Sequence, residues 1–89
     1  MPKSKANEDK AQFIFEQVFG ESNLKWIGPE FDFDRDSYKA RIQAGSLKGQ
    51  LLYISIENLE DRDVSAEQIK QKLLAQLDQE LASARQKKV

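Results

Sequence analysis

The stretch "EFDFDRDSYKARIQA", residues 30–44, decides how this chain folds. It sets Asp32, Asp34 and Asp36 at alternate positions, the opening spacing of a calcium-binding loop. It also alternates polar with apolar residues, the pattern of a half-buried strand. An EF-hand loop beginning at Asp32 needs glycine at its sixth position and glutamate at its twelfth. Ser37 and Gln43 stand there instead. A strand accounts for the carboxylates and the aromatics together. Residues 30–34 and 37–44 are expected to form a hairpin around 34–37, with Phe33 opposite Tyr38 and Phe31 opposite Ala40 on one face. The other face then pairs Asp32 with Lys39 and Glu30 with Arg41, each pair opposite in charge. No metal site is read here.

Toward the C-terminus, "GSLKG" (45–49) reads as a turn bounded by glycines. With Ala44 opposite Gln50, Ile42 faces Leu52, Ala40 faces Ile54 and Tyr38 faces Ile56. A one-residue slip would turn the apolar set of either strand toward water, so the register is expected to be well specified. "NLEDRD" (58–63) reads as an acidic loop. Ser65 and Gln68 then form a capping box, and Val64 and Ile69 its hydrophobic staple. Ala66, Ile69, Leu73, Leu77 and Ala84 share one helical face, broadened by Leu74 and Leu81. A helix to about residue 85 is ~30 Å long against ~25 Å for a strand of this sheet, so its last turns should overhang.

Toward the N-terminus, residues 1–7 read as a disordered tail and Asn7 as a helix cap. Ala11, Ile14, Phe15, Val18 and Phe19 keep helical spacing, and Gly20 is expected to end that helix. Residues 21–30 form a connector punctuated by Gly28-Pro29, in which Leu24, Trp26 and Ile27 close one end of the core. The expected fold is α+β, in the order α-β-β-β-α. A three-stranded antiparallel meander carries both helices packed on one face. Residues 8–86 make a single domain, and 87–89 a frayed end.

With 89 residues, 39% apolar and 33% charged, the chain suffices for one modest core. It has no cysteine and no histidine, which excludes disulfides, thiolate chemistry and zinc sites of the usual kind. The absence of cysteine suits a cytoplasmic protein. "MPKSKANEDK" lacks the apolar run of a secretory signal, and no stretch approaches the ~20 apolar residues of a membrane span. The adjacent carboxylates Glu57, Glu60, Asp61 and Asp63 sit in one loop, with nothing to bury one and solvate another. Neither a nucleophile elbow nor a phosphate-cradling loop is present. The reading is therefore non-enzymatic, with no cofactor.

Two binding readings remain. The net charge of −1 gives no general attraction to nucleic acid, yet Lys39 and Arg41 share the wet face with Tyr53, a basic-aromatic arrangement suited to RNA or single strands. The element order and the Gly28-Pro29 pair resemble those of double-stranded RNA-binding domains. That family places lysines at the start of its last helix, where "DRDVSAEQ" stands here. The preferred reading is a small protein-interaction module or subunit. An apolar patch drawn from Trp26, Leu51, Tyr53, Leu77 and Leu81 binds a protein partner, and Glu60, Asp61 and Asp63 select it by charge. Trp26 and Leu81 can equally close the monomer core. Two long helices packed antiparallel across a two-fold axis would give a homodimer.

Overall fold

The structure, a computed structural model, describes residues 5–86, the side chains of 84–86 excepted. The order is α1 (Lys5–Ser22), β1 (Trp26–Asp32), β2 (Ser37–Ile42), β3 (Leu51–Ser55), α2 (Ile56–Glu60) and α3 (Ala66–Gln86), with a 3-10 turn at Gly45–Leu47. The strands form an antiparallel sheet in the order β1-β2-β3. Its inner face contributes Tyr38, Ala40, Ile42, Leu52 and Ile54 to the core. Ala11, Ile14, Phe15, Val18 and Phe19 of α1 and Ile69, Leu73 and Leu77 of α3 pack into the same cluster. Both long helices therefore lie on one face of the meander, and among the described residues no helix covers the other.

Both ladders run two residues away from the expected register. Phe31 lies opposite Tyr38, and Tyr38 opposite Ile54. A shift of two preserves which side of each strand faces inward, but Phe33, expected opposite Tyr38 on the core face, falls in the turn instead and is 74% exposed. Each shift has a local cause. At the first hairpin the loop is 33–36, because the Asp32 carboxylate caps it by accepting from the N–H groups of Asp34 (3.0 Å) and Arg35 (3.2 Å). Asp36 takes a left-handed conformation, φ 51°, which aspartate tolerates. At the second connection Leu47 folds into the core on its 3-10 turn, and the ladder resumes only where Ile42 donates to the Gln50 carbonyl (3.0 Å).

Three element boundaries also differ. The helix α1 begins at Lys5 rather than after Asn7, and Asn7 is buried within it. It runs past Gly20 to Ser22, and Asn23 at φ 54° terminates it. The Leu24 N–H closes the end by donating to the Phe19 carbonyl (3.1 Å), and both side chains pack on the core. Gly28-Pro29, a cis pair, lies inside β1 rather than before it, at a bulge between Ile27 and Glu30. Such a pair is tolerated because β1 is an edge strand. The expected acidic loop at 58–63 is partly helical: Ser55 Oγ accepts from the Asn58 N–H (3.1 Å) and starts α2. The expected ends at 1–4 and 87–89 lie outside the described residues.

The capping box at the start of α3 forms as read. Ser65 N–H donates to Gln68 Oε1 (2.8 Å) and Gln68 N–H donates to Ser65 Oγ (3.1 Å). No described helix is long and apolar enough to cross a membrane.

Candidate interaction surface

The uncovered sheet face is built from side chains that alternate with the core set. Cross-strand pairing arranges them in rows. Ile27, Arg41 and Leu51 form one row; Glu30, Lys39 and Tyr53 form the next; Asp32, Ser37 and Ser55 form the third. The first two rows set three large apolar or aromatic groups beside two cations. Ile27 is 56% exposed, while Leu51 and Tyr53 are half-buried. A shallow depression of about 50 Å³ lies among Ile27, Gly28, Glu30, Lys39, Arg41 and Leu51. Small-molecule sites typically enclose ~300 Å³ or more, so the face suits broad contact better than an enclosed ligand.

The charges on this face are partly neutralised within the chain. Asp32 lies 3.8 Å from Lys39 Nζ and 4.0 Å from Arg35 Nε. This pairs Asp32 with Lys39 as read, but diagonally, since Lys39 stands directly opposite Glu30. The cation over the Tyr53 ring is Arg35 at 4.8 Å; Arg41 lies opposite Leu51, and the hairpin tip carries Arg35 back over the sheet. Arg41 is exposed and makes no ion pair among the described residues.

The remaining sequence-derived candidates are dispersed. Leu77 is 1% exposed and belongs to the core, which withdraws it from any external patch. The strands are too short to cover all of α3, but α3 packs principally along α1. Leu81 is half-buried against the same cluster. Trp26 stacks on Phe19 (5.1 Å, 18° between planes) and meets Phe15 at a tilt (5.8 Å, 44°), closing the open end of the core. Glu60 is engaged internally: Asn7 Nδ2 donates to its carboxylate (2.9 Å), and Lys10 Nζ donates to the neighbouring Leu59 carbonyl (2.9 Å). Together these bonds fasten α2 to α1. Asp61 and Asp63 are exposed, with Asp61 Oδ1 accepting from the Asp63 N–H (2.9 Å). Among the described residues no three acidic side chains are grouped to hold a metal ion.

Ile27 and Arg35 are the members of this surface that the sequence reading missed. Ile27, read as closing the core, is 56% exposed because the bulge between Ile27 and Glu30 reverses the alternation that would have turned it inward with Phe31. Arg35 has no sequence signal, because its place depends on how the turn closes. Known protein families, curated proteins and solved structures offer no match to the chain.

Proposed function

We propose that this chain is a non-enzymatic, cytoplasmic interaction module that binds a protein partner through the uncovered face of its sheet. One observation carries the reading: Ile27, Leu51 and Tyr53 form adjoining apolar positions on a face that, among the described residues, no helix covers. The arrangement favours a protein surface with hydrophobic side chains to bury. Exposed Arg41 would anchor an acidic group on that partner, and Asp61 and Asp63 would speed encounter with a basic one.

The runner-up is a nucleic-acid binder using Lys39, Arg41 and Tyr53. The cations beside an aromatic ring favour it, but Arg35 occupies one face of Tyr53 and Lys39 is paired with Asp32. Affinity capture from native extract, with and without nuclease, tests both readings. The expected result is a nuclease-resistant protein partner that Ile27→Glu loses. Capture that nuclease abolishes favours the runner-up. Capture indifferent to Ile27→Glu removes the outer face from the mechanism.

A further inference from the structure

The outer edge of β3 has its own binding chemistry. Along an antiparallel strand one residue exchanges backbone hydrogen bonds with the neighbouring strand, and the next points its N–H and C=O the other way. The phase is fixed at both ends of β3. Ile42 donates to the Gln50 carbonyl (3.0 Å), and Ile56 donates to the Asp36 carbonyl (2.9 Å). Leu52 and Ile54 therefore occupy the bonded positions, opposite Ala40 and Tyr38. Leu51 and Tyr53 direct their N–H and C=O groups, and Ser55 its N–H, to the free edge; the Ser55 carbonyl belongs to the start of α2. Among the described residues, no backbone group of another element meets them there.

The two edges of the sheet are treated differently. The bulge at Gly28-Pro29 interrupts β1. The β3 sequence, Leu-Leu-Tyr-Ile-Ser, carries no charge and no proline, and its pairing with β2 has no bulge. It lacks the devices that normally discourage strand addition.

We propose that the β3 edge pairs antiparallel with the β3 edge of a second copy of this chain, joining two sheets into one. The sequence around the strand selects this occupant. A two-fold register that overlaps the whole strand sets Tyr53 opposite Tyr53 and Leu51 opposite Ser55, and these are the positions with free backbone groups. Leu52 then stands opposite Ile54 on the inner side, where each is already covered by its own chain's core, so the joint rests on the edge backbone and the outer-face side chains. Exposed Lys48 lies before the strand and exposed Glu57 after it. The two-fold brings Lys48 of each copy toward the Glu57 end of the other, giving opposite charges at both ends of the joint. Two short strands bury less than a standard interface, so the dimer belongs among weak associations.

The inference goes beyond the outer-face reading, since it uses backbone groups at the edge and holds or fails whatever that face binds. Sedimentation velocity of the full chain from about 5 μM to about 1 mM tests it, together with amide exchange at both extremes. A concentration-dependent dimer is expected, with the amides of Leu51, Tyr53 and Ser55 exchanging more slowly as it forms. Lys48→Glu and Glu57→Lys should each weaken it about fivefold, and the double exchange should restore it. Tyr53→Pro removes a central donor that β2 does not use and should abolish pairing. If that variant does not fold, the charge exchange and the amides still decide. A chain that stays monomeric throughout, or a dimer in which those three amides remain unprotected, overturns the proposal.

Discussion

Two glycines of this chain carry opposite demands, and the difference lies in what surrounds each. Gly20 sits within α1, where an added Cβ would have no neighbour within 4 Å. Its presence costs helix stability without any close approach that requires it. Gly20→Ala should therefore stabilise the fold by about 0.5–1 kcal/mol, read as a higher denaturation midpoint. Gly28 adopts φ +130°, and a Cβ there would lie 2.9 Å from the Lys39 carbonyl oxygen, a backbone atom that cannot swing aside. Gly28→Ala should destabilise by more than ~1 kcal/mol, and a midpoint unchanged from wild type would contradict the close approach. Residue type alone could not separate these cases. Gly20 resembled a helix terminator because glycine commonly fills that role. The left-handed position fell to Asn23, where the next residue, Leu24, could cover the helix end with an apolar side chain.

At the scale of elements, α3 was legible because its signals are local. The capping box is set by Ser65 and Gln68, three residues apart, and the apolar face by simple spacing. The strands were legible in parity but not in register, since Asp32 and Leu47 moved each ladder by contacts that spacing does not encode. The helix α2 was missed although Ser55 precedes it as a capping residue, because Ile54 and Ile56 continue the strand's alternation. Its docking makes Glu60→Lys a stability variant: losing the acceptor for Asn7 should cost about 1 kcal/mol in thermal or chemical denaturation. Asp63→Lys, at an exposed carboxylate, should change stability by less than ~0.5 kcal/mol. The seam between α1 and α3 has a pH signature. The hydrogen bond that Lys70 Nζ donates to the Glu21 carboxylate raises the pKa of Lys70; burial opposes this, and the charges of Glu21 and Glu67 reinforce it. The contribution is complete below the pKa of an unfolded lysine, about 10.4, and is lost as pH rises through the higher folded value. The gap in melting temperature between wild type and Lys70→Met should hold near neutrality and close in alkali. A gap independent of pH would remove the ion pair as its source.

For the whole molecule, placing both helices on one sheet face divides substitutions by side. The inner face is a shared core in which α1, α3 and the strands each fill part of one cluster. Removing Leu77, 1% exposed, should leave a cavity among all of them, and Leu77→Ala should cost about 2–5 kcal/mol. The outer face contributes little to that core. Ile27, 56% exposed on the edge strand, can become threonine with its β-branching kept, at less than ~0.5 kcal/mol. The two variants should therefore separate stability from binding. Leu77→Ala should lower the melting temperature, with partner capture recovered when the protein is assayed well below it. Ile27→Thr should melt as wild type and capture less. The comparison depends on the outer face being free of structural duty, which the sequence suggested only through Leu51 and Tyr53. Ile27 completes the patch from the far strand, and only the bulge at Gly28-Pro29 brings it level with Arg41 and Leu51. If Ile27→Thr lost as much stability as Leu77→Ala, the outer face would belong to the fold and could not serve as a binding surface.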